Sequence, residues 1–380
     1  MTALVVTPLL GMPEVVADDD VAALVLAALT DNALTLRDGD VLVVSSKIVS
    51  KAMGLTVATA TGDPAAAREA VVASQSEWVV AERRTAGRTT SVVKARSGPV
   101  MAAAGVDASN TGGLDLVLLL PHDPDAVCRE LHGALLAATG VRRLGVVLSD
   151  TAGRAWRVGQ TDFALGAHGL LVADDLRGGT DADGRPLEVT TRAVADEVAA
   201  AADLVKGKTY AVPVAHLRGL PGSLVPEVDV LSATTVLPGA GSLVRTGPSD
   251  WFGLGRAEAV RSALGVHPGS PEADLVGIAS TLPEDAGTRL TRAVAVALLT
   301  SPDAGVDIGR VAGPPVAADV RESGAPGAEA YRVVVSHHDP VDLGLVVGRL
   351  LTALHGEWLD AALGPRSDGS LTLDVVDRQH

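Results

Sequence analysis

Two short apolar runs that stop abruptly at polar side chains restrict the fold of this chain more than any other feature. They are DVLVVSS, residues 40–46, and LGVVLSD, residues 144–150. A short apolar run with charged or turn-forming residues on both sides is typical of a strand that is buried in a sheet. Helices must then cover that sheet, so the runs predict a structure in which strands and helices pack together.

Further strands and helices follow one another irregularly along the chain. Asp18 to Asp20 precede the apolar run VAALVLAALTD, which is the pattern of a capped helix. Because strands and helices mix without strict βαβ alternation, the sequence predicts a mixed α/β (α+β) fold rather than a doubly wound parallel sheet. The other predicted elements are helices at residues 64–83, 124–139 and 188–204, and strands at residues 3–9, 89–96 and 99–104 and in VPVAHLRGL.

A change in composition divides the chain into two predicted domains. Residues 221–250 are rich in Pro, Gly and Ser, as is typical of a domain boundary. The division predicts a domain of residues 1–245 and a smaller C-terminal α/β domain of residues 246–380. Predicted helices near residues 254–264 and 284–300 belong to the smaller domain. It contains no chemical motif, so a structural or dimer-supporting role is predicted for it.

Charge and cysteine content exclude several classes of protein. The net charge of −15 disfavours nucleic acid and anionic membranes as partners, because both attract basic surfaces. The single cysteine, Cys128, excludes an internal disulfide and a cysteine-rich metal site. The N-terminal residues lack the basic start of a signal peptide, and no apolar run approaches the roughly 20 residues of a membrane helix. The chain is therefore expected to be a soluble cytoplasmic protein.

Four segments carry the polar side chains with which proteins hold phosphates and metal ions. They are the turn at residues 11–14 and the stretches 45–51, 105–110 and 148–170. Carboxylate and hydroxyl oxygens are ligands for Mg²⁺ or Mn²⁺, and lysine and arginine bind phosphates. Each segment alone is also typical of an Asx turn or a helix cap. Together, the four segments predict a site for a nucleotide and a metal ion.

Residues 202–209, ADLVKGKT, nearly match the phosphate-loop pattern G-x-x-x-x-G-K-[ST]. A phosphate loop follows a strand and opens a helix, so that backbone N–H groups meet the phosphates. This segment instead follows an alanine-rich helix and precedes a predicted strand. It is therefore interpreted first as a helix C-terminus, where Lys206, Gly207 and Lys208 are favoured residue types.

Several of these segments occur in the order that is typical of one enzyme family. GMPE, DVLVVSSKIVSKAMG, AAAGVDASN, SDTAGRAWRVGQTDFALG, TRAVADEVAAAADLVKGK and PVAHLRGL follow one another between residue 1 and about residue 220. In this set the chain resembles the coenzyme F-420:gamma-glutamyl ligase family, which includes the ligase half of a two-domain actinobacterial enzyme. The resemblance implies a family-specific gamma-glutamyl ligase fold and a homodimer. It also implies GTP-dependent addition of L-glutamate to the deazaflavin precursor of coenzyme F-420, followed by further gamma-linked glutamates.

The resemblance further implies two divalent metal ions, Mg²⁺ or Mn²⁺, beside the nucleotide. Asp107, Asp150 and Thr151 match metal ligands of the family. Asp150 is also expected to take part in catalysis, together with Lys51 and Arg154.

The implied nucleotide-binding residues come from all parts of the matched region. This chain departs from the family pattern at the turn after the long predicted helix. Archaeal members of the family place a glutamate metal ligand there, whereas this chain reads LVKGKT. The number of protein ligands on the second metal ion is therefore left open. The implied nucleotide-binding residues are Met12, Pro13, Glu14, Val15, Ser46, Lys47, Lys51, Asn110, Lys206, Gly207 and Lys208.

These residue types suit the implied chemistry. The carboxylate of the precursor first attacks the γ-phosphoryl group of GTP, and the resulting acyl phosphate then takes the amine of glutamate. Such a phosphoryl transfer needs positioning and charge neutralisation more than covalent help from the protein. Metal ions on Asp107 and Asp150 would bridge phosphate oxygens, while Lys51 or Arg154 would neutralise developing charge.

Two alternatives from other classes stay open at this stage. One is a non-catalytic nucleotide-binding protein, which the LVKGKT departure would allow. The other is an additional flavin reductase activity in residues 246–380, as in the two-domain relatives. Those residues are too few for the reductase and lack its R-R-S-x-R-x-F-like start, so no flavin is expected. The expected partners are GTP, L-glutamate and the deazaflavin precursor.

Overall fold

The structure of the chain, a computed structural model, divides into two compact units. Unit 1 comprises Met1–Glu77 and Val93–Ser249, and unit 2 comprises Trp78–Val92 and Asp250–His380. The sequence did not indicate that Trp78–Val92 joins unit 2, and the predicted domain boundary after residue 245 stays a prediction. The structure describes residues 3–59, 63–85, 88–109, 115–227, 237–247, 250–311 and 329–377.

The elements before residue 250 are numbered in chain order. The strands are β1 (Val5–Pro8), β2 (Asp40–Ser45), β3 (Thr56–Ala58), β4 (Ser76–Thr85), β5 (Arg88–Ala95), β6 (Val100–Ala102), β7 (Leu116–Leu118), β8 (Leu144–Arg154), β9 (Arg157–His168), β10 (Asp174–Asp175), β11 (Thr191–Arg192) and β12 (Val214–Arg218). The helices are α1 (Val21–Asp31), α2 (Ser46–Ala52), α3 (Pro64–Ser74), α4 (Pro124–Thr139) and α5 (Val194–Lys206).

A five-stranded sheet in the order β1-β12-β2-β8-β9 forms the centre of unit 1. The neighbours β2 and β8 are parallel, whereas the other neighbouring pairs are antiparallel. Residues 41–44 of β2 and residues 144–149 of β8 are buried, as their apolar runs predicted. Parallel and antiparallel pairs in one sheet, combined with packed helices, confirm the predicted mixed α/β fold.

Helix α5 covers one face of this sheet. Its buried residues include Val194, Val198 and Ala202, which recur at helical spacing and form one stripe. They belong to the same core cluster as Val43 of β2 and Val147 of β8. Alanines on the same stripe bring the helix backbone close to the strands. The C-terminal end of α5, with Lys206, is therefore held against the sheet.

A buried ion pair fixes the start of β2. Asp40 is only 1% exposed and accepts hydrogen bonds from Arg218 Nε at 2.8 Å and Nη2 at 2.7 Å. The backbone N–H of Arg37 also donates to it, and His216 Nε2 lies 2.8 Å from its carboxylate. Burial opposes the charge of Asp40, but these partners together hold the pKa of its carboxyl well below the usual range.

Replacing Asp40 with asparagine should lower the free energy of unfolding by about 3 kcal/mol at pH 7. A carboxyl whose pKa is depressed by folding stabilises the fold above its unfolded pKa, about 3.9, and loses that contribution as the pH falls below it. The difference between the wild type and the variant should therefore shrink in acid. Urea unfolding at a series of pH values measures it, with the exposed Asp31→Asn as control. A difference that does not change with pH would contradict the role given to this ion pair.

Unit 2 contains a four-stranded antiparallel sheet in the order β13-β14-β16-β15. Helices α8 and α9 pack on this sheet through Leu290, Leu350 and other apolar residues, which meet Val333 and Val375 of the strands. The elements after residue 250 are α6 (Arg256–Ala263), α7 (Pro271–Val276), α8 (Ala286–Leu298), β13 (Gly305–Val311), β14 (Ala330–Ser336), α9 (Pro340–Gly356), β15 (Leu359–Ser367) and β16 (Ser370–Asp377).

Three sequence-based boundaries are wrong. The predicted helix at residues 64–83 ends at Ser74, because the following residues form β4 in a sheet with β5 and β6. The predicted helix at residues 188–204 begins at Val194, since Thr191 and Arg192 pair with β10. Strand β8 does not end at Asp150 but runs to Arg154, paired with β9. In each case strand pairing overrides the local preference of the residues.

None of the helices in the described ranges combines the length and the apolar character that crossing a membrane requires.

Candidate active site

The register between β2 and β8 brings two of the predicted segments together in unit 1. Ser45 is paired with Ser149 in the parallel ladder, so both strands reach the same edge of the sheet. Helix α2 begins at the next residue, Ser46, whose hydroxyl donates a hydrogen bond of 3.3 Å to Asp150 Oδ1. The abrupt polar ends of the two apolar runs are thus neighbours in space.

Helix α2 contains two lysines, one helical turn apart, and each contacts another of the predicted segments. Lys47 Nζ lies 2.7 Å from Asp107 Oδ2 and donates a hydrogen bond of 2.7 Å to Ser109 Oγ. Lys51 forms an ion pair with Glu14, which lies in the chain between β1 and α1. Burial opposes the charge of Asp107, but Lys47 and Ser109 hold its pKa below the usual range. All four segments therefore meet around α2 and the end of its strand.

Asp150 has a pKa that is raised by its surroundings in this cluster. Burial, together with the nearby carboxylates of Asp162 and Asp107, raises the pKa of Asp150 to about 6. Its side-chain contact with Ser46 only partly offsets this effect. The charged form of Asp150 is therefore disfavoured, and a bound cation would relieve that cost.

A second polar network lies next to Asp150 and is almost fully buried. Asp162, on β9, accepts hydrogen bonds from Thr151 Oγ1 at 2.7 Å and from Ser149 Oγ at 2.8 Å. Lys206 Nζ, at the end of α5, lies 2.6 Å from both Asp162 Oδ2 and Ser149 Oγ. The Lys206 and Asp162 side chains are 6% and 5% exposed. The network ties α5 to the polar ends of β8 and β9.

This network changes the interpretation of Lys206. The segment ends a helix and precedes β12, as predicted, with Gly207 at the C-cap. The ammonium group of Lys206, however, is directed into the protein, while Lys208 is exposed. The predicted contacts of Lys206, Gly207 and Lys208 with the nucleotide stay predictions.

The remaining predicted site residues differ in how exposed they are. Val15 is buried, Met12 is half-buried and Pro13 is exposed, all in the segment that also contains Glu14. Arg154 is exposed, four residues beyond Asp150 and next to the turn between β8 and β9. Asn110 lies outside the described residues, so nothing in the structure bears on its predicted contact.

The oxygen ligands present fit a hard divalent cation. Asp107 and Asp150 offer carboxylate oxygens, while the Thr151 hydroxyl is engaged with Asp162. The ligand atoms of Asp107, Asp150 and Asp162 do not all lie within 4.8 Å of one another. Mg²⁺ is commonly bound by one or two carboxylates and completed by substrate phosphates and water, which suits this arrangement.

Asp162 and Ser149 are the residues of this cluster that sequence reasoning missed. Asp162 directly precedes the apolar run FALGA of β9, and a carboxylate in that position is the signal that could have indicated a partner. Its partners could not be deduced, because they depend on the β8–β9 register and on the position of the end of α5.

Comparison with known proteins identifies a family that this chain matches. Residues 10–219 match the family model described as F420-0:Gamma-glutamyl ligase. The chain is 40% identical over 226 residues to the coenzyme F420:L-glutamate ligase of Methanothermobacter thermautotrophicus, a match that covers 56% of this chain and 87% of the relative. It is 41% identical over 213 residues to the protein of the same name from Halobacterium salinarum, covering 52% of this chain and 79% of the relative.

The family match and the named relatives define an enzyme, and its class is that of the ligases. The chain belongs to the F420-0:gamma-glutamyl ligase family, as its sequence motifs indicated. Residues 220–380 lie outside the range that the family model matches. The implied kinship with the two-domain actinobacterial enzyme stays a prediction.

Proposed function

We propose that this enzyme uses GTP to join L-glutamate to the carboxylate of the coenzyme F420 precursor, and then adds further gamma-linked glutamates. The observation that supports this most is the meeting of Ser46, Lys47, Asp107 and Asp150 at one edge of the sheet, inside the region shared with the F420 ligases. Cations and carboxylates there would serve a nucleotide with its metal ion.

The proposed reaction has two steps. In the first, a carboxylate oxygen of the precursor attacks the γ-phosphorus of GTP, the bond to the bridging oxygen breaks, and GDP leaves. In the second, the amine of glutamate attacks the acyl carbon, phosphate leaves, and the amine loses a proton as the amide forms. The enzyme must therefore hold a polyanion next to a second anion while it excludes water.

The residues at this edge can meet both demands. Asp107 and Asp150 would hold Mg²⁺ or Mn²⁺, which supplies neutralising charge at the phosphate oxygens. Lys47 and Lys51, now paired with Asp107 and Glu14, would turn to phosphate oxygens when a nucleotide is bound. Lys206 would keep Asp162 and Thr151 in place behind Asp150. Arg154 would approach the substrates from the β8–β9 turn.

Incubation of the full chain with GTP, Mn²⁺, L-glutamate and the precursor tests the proposal. Mass spectrometry should show products that are heavier by one or more glutamate residues, with one GDP formed for each. A protein that only binds the nucleotide would form neither product nor GDP. A yellow flavin that co-purifies with the protein would support the reductase alternative. The homodimer and the cytoplasmic location are also proposals that rest on the resemblance.

Replacing Lys47 with methionine should raise the KM for GTP by about 10- to 100-fold, as expected when one charge-assisted contact is lost. Stability should change by less than about 1 kcal/mol, because the Lys47–Asp107 pair is partly exposed. Steady-state kinetics with varied GTP measures the effect. Lys94→Met, which removes a lysine paired with Glu77, is the matched control. An unchanged KM in Lys47→Met would contradict the phosphate-binding role.

A further inference from the structure

Unit 2 contains a cluster of side chains of the types that bind metal ions. Asp303, His337 and His338 bring one ligand atom each to within 4.8 Å of one another. Among the described residues, no other trio of His, Cys, Asp or Glu side chains meets this condition. Neither the family match nor the proposed ligase reaction involves these residues, since the match ends at residue 219.

Strand pairing explains why the three residues meet. Gly305 of β13 is paired with Ser336 of β14, so the antiparallel register, continued past the strand ends, places Asp303 opposite His338. A turn in which Ala304 N donates to Ser301 O at 3.2 Å holds the first segment. The backbone N–H of His337 donates to Gly369 O at 2.9 Å and holds the second segment. The side chains therefore project from a fixed backbone.

His337 has the environment of a metal-binding imidazole. Its side chain is 1% exposed, and its Nε2 lies 3.1 Å from Asp303 Oδ2. Its other nitrogen, Nδ1, lies 3.1 Å from the carbonyl oxygen of Asp339 and 3.0 Å from the backbone nitrogen of the same residue. A histidine that binds metal through one nitrogen usually donates the other N–H to a carbonyl or carboxylate, which fixes its tautomer. Two ligand atoms on one tetrahedral zinc ion are about 3.3 Å apart, close to the separation seen here.

His338 completes the set. Its ring stacks on that of His337, with centroids 4.4 Å apart and planes inclined by 30°. The residue is exposed, so a small rotation can bring its nitrogen to a shared ion.

We propose that Asp303, His337 and His338 form a binding site for Zn²⁺ or a related divalent transition metal ion. Two imidazoles with one carboxylate are a donor set that favours such ions over Mg²⁺. Three protein ligands leave a fourth position for water or for a small ligand. The site stabilises the turn before β13 against the start of α9.

Titration of the full, untagged chain with Zn²⁺ in excess Mg²⁺ tests the proposal. The Mg²⁺ occupies oxygen-ligand sites without competing for imidazoles. Calorimetry should give one tight Zn²⁺ site per chain, and Co²⁺ bound there should show the visible absorption of a tetrahedral complex. Zn²⁺ should also raise the melting temperature by mass action.

Two exposed positions allow variants that should fold normally. Asp303→Asn and His338→Gln should each weaken Zn²⁺ binding at least tenfold and reduce the thermal shift. His122→Gln, which removes an exposed histidine of unit 1, is the matched control and should bind Zn²⁺ like the wild type. The proposal is overturned if the wild type binds no Zn²⁺ under these conditions. It is equally overturned if the double variant Asp303→Asn/His338→Gln retains wild-type affinity.

Discussion

Replacing Asp150 with asparagine should lower the rate of ligation by about 100- to 1,000-fold while the protein stays folded. Burial and two neighbouring acidic groups disfavour the charge of Asp150, and a cation bound to it would relieve that cost. Asparagine keeps the shape and the contact with Ser46 but removes the charge that would hold the cation. Without that cation, the phosphoryl group and the attacking carboxylate repel each other.

Two measurements separate loss of activity from loss of folding in this variant. The rate of glutamate addition, followed by mass spectrometry, should fall. The melting temperature should not fall, because the substitution relieves repulsion from Asp107 and Asp162. Asp31→Asn, an exposed substitution at the end of α1, controls for the loss of one negative charge. Turnover close to that of the wild type in Asp150→Asn would remove the metal assignment.

Replacing Lys206 with methionine should lower the free energy of unfolding by about 3–5 kcal/mol, the cost of removing one partner of a buried ion pair. Lys206 and Asp162 are both almost fully buried and lie 2.6 Å apart. Without the ammonium group, Asp162 would keep a buried charge that only Ser149 and Thr151 solvate. Denaturant unfolding at pH 7 measures the effect.

The double variant Lys206→Met/Asp162→Asn identifies the cause of this loss. It should be more stable than Lys206→Met alone, because no uncompensated charge remains inside the protein. Lys208→Met, two residues further along the chain and exposed, should change stability by less than about 0.5 kcal/mol. Equal effects of the two lysine substitutions would mean that Lys206 only caps the end of α5.

Elements with strong local signals were predicted closely from the sequence. The predicted helix at residues 124–139 has the bounds of α4, with Asp123 as its N-cap and Gly140 in the left-handed conformation at its C-cap. Residues 76–85 lacked such signals, because Glu and Arg within them favour a helix as much as Trp and Val favour a strand. Pairing with β5, which begins three residues after β4 ends, decided their structure.

The residues of the candidate site likewise include some that the sequence predicted and some that it did not. Ser46, Lys47, Asp107 and Asp150 were found from their positions after apolar runs and from the family resemblance. Asp162 was not predicted as a site residue, because its contacts with residues of β8 depend on the register between β8 and β9. The burial of Lys206 was not predictable either, since its spacing on α5 is equally consistent with an exposed helix end.

The most direct test of the proposed ligase reaction follows one oxygen atom. The precursor is prepared with a heavy oxygen isotope in its carboxylate and incubated with GTP, Mn²⁺, L-glutamate and the full chain. Activation through an acyl phosphate predicts that the phosphate released with the first glutamate carries one labelled oxygen and that the amide product retains the other. Phosphates released with later glutamates carry no label, because those steps activate the unlabelled carboxylate of an added glutamate. Product with a single added glutamate formed together with unlabelled phosphate would contradict this reaction.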